Sequence, residues 1–141
     1  MTMVEQIIIN LKCRSDSLGG SYELRLVRGI VGREARYHVQ FNGFDHDAVS
    51  IDCRRSIGAG YIEHWLAKLR LTRIPIILDE RMGCDGAVYT MEFNRGINHA
   101  SFTWWCAAPE EYQVLVELGN DLLREVGVRD RELSIENRAC D

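Results

Sequence analysis

Residues 87–119, AVYTMEFNRGINHASFTWWCAAPEEYQVLVELG, hold the pattern that decides the fold. Tyr89, Met91 and Phe93 alternate with Thr90, Glu92 and Asn94, the period of two expected of a half-buried strand. Asn94-Arg95-Gly96 supplies hairpin turn chemistry, and His99 to Cys106 returns as the second strand. Phe102, Trp104 and Cys106 share one face of that strand, with Thr103 and Trp105 on the other. Pro109 then opens a helix where its missing N–H costs nothing. Glu110 and Glu111 suit the positive pole of its first turn. Tyr112, Leu115, Val116, Gly119, Leu122 and Val126 follow at helical spacing, and Gly127 is a natural stop.

The chain upstream repeats the theme with more strands. Residues 4–13 read as a strand, and Ser15 to Gly20 as a turn. Tyr22, Leu24 and Leu26 alternate with polar residues, as do Tyr37, Val39 and Phe41. Gly29 to Arg33 is the loop between these two strands, and Asn42-Gly43 is a tight-turn signal after the second. Residues 48–53 form a fourth strand with Val49, Ile51 and Cys53 on one face. Ser56 is the expected N-cap of a helix whose apolar stripe is Ile62, Trp65, Leu66 and Leu69. Arg70 and Arg73 suit its negative pole. Ile74 to Leu78 is a short apolar connector whose Pro75 bars a central strand, and Asp79 to Gly86 is a polar loop. The expected order is ββββ-α-ββ-α, an α+β domain with a mostly antiparallel sheet and two helices on one face. Residues 1–127 make that domain, and 128–141 read as a charged, frayed tail.

Composition narrows the function classes. With 141 residues, 46% hydrophobic and 27% charged, the chain is long enough for one core without disulfide or metal staples. Its apolar runs are too short to cross a bilayer, and its start has no secretory pattern. Residues 1–106 carry 13 basic and 12 acidic side chains, whereas 107–141 carry 4 basic and 9 acidic. The acidic excess is therefore C-terminal, and an acidic chain argues against a nucleic-acid binder. Cys13, Cys53, Cys84, Cys106 and Cys140 are odd in number and widely spaced, which reads as free thiols in a reducing cytoplasm. Cys13, Cys53 and Cys106 fall in strand-like runs and are expected to be buried and inert.

No motif here specifies a catalyst. Ser56-Ile57-Gly58-Ala59-Gly60 resembles a dinucleotide-binding turn, but Glu63 would meet the phosphate and no second βαβ unit follows. The simpler reading is a glycine-rich helix start packed close to the sheet. Phe44-Asp45-His46-Asp47 sets an imidazole between two carboxylates without a second His at zinc spacing. Cys53 with His64, or Cys106 with His99, would form a nucleophilic dyad only if the fold joined them. No catalytic residue, metal or cofactor is therefore expected. Trp104-Trp105 must point to opposite faces, so one indole is left for solvent, a covering loop or a partner.

Asp85-Gly86, Tyr89-x-Met91-x-Phe93, Phe102-x-Trp104-Trp105 and Pro109-Glu110-Glu111-Tyr112 together resemble a recurring module of small bacterial α+β proteins of unassigned function. The likeness covers residues 57–127 and implies a fold, not a reaction. In size, charge and lack of a catalytic motif the chain also resembles immunity proteins of bacterial toxin systems. That likeness implies a non-enzymatic cytoplasmic protein-binding module, an immunity-type antitoxin that occludes a basic toxin active site. Its partner-binding residues would be Glu110, Glu111, Glu117, Asp121 and Glu125, with Trp105 as anchor. The rival is a small-ligand protein or enzyme with a pocket between sheet and helices, lined by Trp65, Tyr89 and Trp104. Its polar groups would come from His99, Cys106 or Glu92. A concave apolar cavity with converging polar groups favours the rival, and a filled core with a flat acidic face favours the first. A third reading is a homodimer built through an edge strand at residues 4–13 or through the unpaired Trp face.

Overall fold

A computed structural model of the chain describes residues 3–15, 20–44, 49–76, 78 and 86–136. The elements are β1 (Val4–Ser15), β2 (Tyr22–Val31), β3 (Glu34–Phe44), β4 (Ser50–Ile57), α1 (Ala59–Leu71), β5 (Ala87–Arg95), β6 (Asn98–Trp105), a 3-10 turn (Glu110–Tyr112) and α2 (Gln113–Glu125). The protein is α+β in the expected order, with one six-stranded sheet. The strands run β4-β3-β2-β1-β5-β6, and every neighbouring pair is antiparallel.

The first four strands form a meander, after which α1 carries the chain back so that β5 pairs with β1. The strand at residues 4–13 is thus central, not an edge. From Ile9 onward both of its hydrogen-bonding sides are used, by β2 and β5, whereas Val4 to Ile7 pair with β2 alone. Ile8 and Ile9 are buried in keeping with that place, whereas Ile7 is exposed. The true edges are β4 and β6.

Both two-residue hairpin turns use the same device. Gly32 and Gly96 sit at the first central position with φ of 66° and 61°, and Arg33 and Ile97 follow without positive φ. A II′ turn demands that combination, and its twist matches the strands it joins. Asn42-Gly43, in contrast, is not a turn. Both residues lie inside β3, where Gly43 pairs with Tyr22. A Cβ on Gly43 would stand 2.5 Å from the Tyr22 Cβ, so the glycine makes room for a ring that stacks on Phe41 at 5.3 Å. The fourth strand starts at Ser50 and runs on through Ser56 and Ile57, so Ser56 does not cap α1. Gly58 occupies that position without a side-chain cap.

The core lies between one sheet face and the two helices. Ile9, Leu11, Leu24, Leu26, Val39, Phe41 and Met91 come from the sheet, Ile62 and Trp65 from α1, and Leu115, Leu118, Leu122 and Leu123 from α2. Burial of each such side chain contributes about 1.5–3 kcal/mol. Gly119 sets how closely α2 approaches. A Cβ there would come within 2.7 Å of Leu133 and 3.2 Å of the Met91 methyl.

The tail differs from its charged sequence. Residues 128–136 are packed, not frayed, because Val128 and Leu133 are buried and anchor it. The Ala108 N–H donates to Ser134 O and Glu136 N–H to Ala108 O, each at 2.8 Å. The Asn120 amide donates to Leu133 O at 3.1 Å and accepts from Leu133 N–H at 2.6 Å. Residues 137–141 lie outside the described residues. Among the described residues no helix is long and apolar enough to cross a membrane.

Candidate functional site

A groove of about 560 Å³ opens between the sheet and the helices, at the end of the sheet where β1 begins and β5 ends. Local sequence builds each wall. The register of β1 against β2 slips between Ile7 and Ile9, a bulge that brings both Ile8 and Ile9 to the groove. Leu66 and Leu69 reach it from the half-buried side of α1, followed by Thr72 and Ile74. Phe93 and Phe102 come from β5 and β6, with their rings edge to face at 6.0 Å. Leu115 of α2 closes the back.

The rim is polar. It is made of Arg70 at the end of α1 and Asn94, Arg95, Asn98 and His99 around the β5–β6 turn. The His99 Nδ1 and Asn94 Oδ1 lie 2.6 Å apart, which holds the imidazole in place across the hairpin. An apolar floor with a few converging polar groups is the usual form of a small-molecule site, and the volume falls within the roughly 300–1,000 Å³ such sites span.

The opposite end of the same sheet face is filled. Tyr89 stacks on Trp104 at 5.7 Å, and Tyr112 meets Trp104 and Phe102 edge to face at 5.9 and 5.5 Å. The Cys13 thiol donates to the Gly20 carbonyl at 3.5 Å. Burial pushes the Tyr89 phenol up to about 12, with the nearby Cys13 sulfur adding to the shift. Burial raises Tyr22 further and also raises the Cys13 thiol, the latter opposed by Tyr89 and by the Arg131 charge. These are closed groups in low dielectric, held in their neutral forms. The buried Tyr22 hydroxyl and Trp104 indole N–H have no hydrogen-bond partner among the described residues.

The sheet face away from the helices is polar. A smaller concavity of about 450 Å³ there is lined by Lys12, Arg14 and Arg25 with Glu23 and Asp52, a mixture of signs. Arg25 and Glu23 are paired at 2.5 Å. His38 is buried on this face beside Arg54, with 3.2 Å between Nδ1 and the guanidinium. Burial first, and the Arg54 charge second, lower its pKa.

The residues singled out for partner binding are scattered by the fold. Trp104 is buried at 5% exposure and Trp105 is the open indole at 45%. Glu110 and Glu111 are exposed on the 3-10 turn. Glu117 and Asp121, however, face α1. Lys68 Nζ lies 3.4 Å from Glu117, and the Tyr61 hydroxyl donates to Asp121 at 3.0 Å while Arg124 pairs with it at 3.2 Å. Two of the five carboxylates therefore belong to the seam between the helices. Glu125 is half-buried at the end of α2.

The pocket residues anticipated from sequence fare differently. Trp65, Tyr89 and Trp104 are packed into the core and do not line the groove. Glu92 alternates with buried Met91 and so points to the opposite face of β5. Only His99 of the named polar groups stands at the groove. Cys106 is exposed, contrary to its strand-like reading, because the chain turns there with φ of 53° just past β6. Seven residues of extended strand, about 23 Å, separate it from His99, too far for a dyad. Cys53 donates instead to Val126 O at 3.6 Å. Gly58 and Gly60 have open space where a Cβ would lie, so the glycine-rich helix start is not a close-packing device. Asp45, His46, Asp47 and Cys84 lie outside the described residues, as does Cys140. Sequence reading missed the groove because Ile8, Leu69 and Phe93 read as ordinary core residues. The β1 bulge that helps shape it leaves no mark in composition.

No family model, curated protein or solved structure matches this chain.

Proposed function

We propose that this protein binds a small apolar molecule in the groove between α1, the β1 bulge and the β5–β6 hairpin. The observation that carries this reading is the groove's form. Aliphatic and aromatic side chains make its floor, and Arg70, Asn94, Arg95, Asn98 and His99 converge on its rim. No reaction is assigned to it. The free thiols Cys13, Cys53 and Cys106 favour a reducing compartment such as the cytoplasm. Calorimetric titration with decanol, a neutral apolar probe, tests the reading. Saturable binding with amide shifts confined to Ile8, Leu66, Phe93 and Phe102 supports it, and a flat titration ends it.

A second reading keeps a specific observation of its own. Trp105, at 45% exposure on an edge strand, is the kind of aromatic that anchors protein interfaces. With Glu110 and Glu111 it would give an immunity-type inhibitor a small acidic, aromatic contact for a basic toxin domain. Pull-down of a basic protein partner by the intact chain, lost on Trp105→Ala, supports that reading.

A further inference from the structure

We propose that the molecule the groove accepts is an apolar carboxylate, its chain on the apolar floor and its head held by the guanidinium groups of Arg70 and Arg95. This rests on the groove being a ligand site and goes further by fixing the sign and the chemistry of the ligand. Of the fifteen residues that line the groove, only Arg70 and Arg95 carry a formal charge at neutral pH, and no carboxylate is among them. Neither arginine makes a hydrogen bond or ion pair with a described residue. Arg25, Arg36, Arg54, Lys68 and Arg124 are paired with carboxylates. Lys12, Arg14, Arg28, Arg33, Arg55, Arg73 and Arg129, like Arg70 and Arg95, have no ion pair with a described residue. What sets Arg70 and Arg95 apart is their place on an apolar groove that no carboxylate lines. The rim of the groove is thus a place where positive charge stands open beside apolar surface.

The end of α1 contributes a partial negative charge near Arg70, about half an elementary charge. Two full positive charges outweigh it, and Arg73 follows Arg70 in sequence with the same sign. A guanidinium presents a planar fork of donors that matches a carboxylate, and such charge-assisted hydrogen bonds are stronger than neutral ones. The concavity on the other sheet face provides the contrast. There Glu23 and Asp52 stand among the cations and no ligand charge is selected.

The test compares decanoate with decanol at neutral pH by calorimetry on the full chain, with the probes below their aggregation limits. They share the chain length, so their ratio isolates the head group. Decanoate is expected to bind roughly ten- to a hundredfold tighter, the range for hydrogen bonds to a charged group. The Arg70→Gln, Arg95→Gln double variant should bring decanoate down to the affinity that decanol has for the same variant, and an unchanged denaturant midpoint shows that the variant is folded. Equal or weaker binding of decanoate by the wild type overturns the assignment of the head group while the groove reading stands. An advantage that survives in the double variant overturns it too, since the anion is then held elsewhere. If neither probe binds, the groove reading itself fails.

Discussion

The two ends of the helix-covered sheet face are built from similar residues and reach opposite outcomes. At one end Tyr22, Phe41, Tyr89, Trp104 and Tyr112 interlock, and residues 128–136 are tied across them by Ala108 and Asn120. At the other end Ile8, Leu66, Leu69, Phe93 and Phe102 leave a groove. Apolar character alone therefore does not decide whether a surface becomes core or site. The difference lies in cover. Large rings and a returning segment fill the first end, whereas a bulged strand and the polar rim of a hairpin hold the second one open.

The largest effect should come from the filled end. Trp104→Ala should cost about 3–5 kcal/mol in a denaturant melt, because it removes a buried ring touched by Tyr89 and Tyr112. Trp104→Phe should cost clearly less. Most of the ring survives, and the lost indole N–H had no partner among the described residues. If the two variants were equal, the aromatic cluster would not be what fills this end.

Asn120→Ala should come next, at about 1–3 kcal/mol, since it removes both hydrogen bonds to the Leu133 backbone. Hydrogen exchange should speed at the Leu133 and Glu136 amides and stay slow in β1. Uniform loss of protection would mean that residues 128–136 are not a separable cover.

Alkali sharpens the contrast by chemistry. The phenols of Tyr22 and Tyr89 are raised above their ordinary value of 10 in the folded state. Their contribution to stability is complete below pH about 10, the ordinary phenol value, and falls as pH rises toward about 12 and beyond. Melting temperature should therefore drop between pH 9.5 and 11.5 by more than in a Tyr89→Phe variant, with both pH values chosen to bracket the Tyr range of about 10.

The smallest effect on stability should come from the groove. Leu69→Phe adds volume where space exists, so stability should change by less than about 1.5 kcal/mol. Decanol binding, in contrast, should weaken severalfold. A loss of stability as large as that of Trp104→Ala would mean that the groove is part of the close-packed core.

Much of this was legible beforehand for a physical reason. Alternation in Tyr89-Thr90-Met91-Glu92-Phe93 and the stripe from Leu115 to Leu122 are local patterns, and a sheet or helix with one buried face enforces them. Hence six strands, two helices and their order could be read from the residues. Where local chemistry was ambiguous, the reading went astray. Asn42-Gly43 has turn composition, yet its glycine serves the ring of Tyr22, which lies far earlier in the chain. Ser56 has cap composition, yet pairing with His38 keeps it in β4. The charged tail reads as frayed, yet within residues 128–136 Val128 and Leu133 are buried.

The sequence by itself determined the class of fold, the number and kind of elements and the fact that one of two adjacent tryptophans must leave the core. These follow from periods of two and 3.6 residues, which neighbours along the chain express. Only the tertiary structure decided that β1 is central, that Trp104 is the buried indole, that Glu117 and Asp121 face α1 and that Arg70 and Arg95 line one groove. Each of these is a meeting of residues far apart in the chain, and the energy that selects it resides in contacts that exist only once the sheet has closed and the helices have packed.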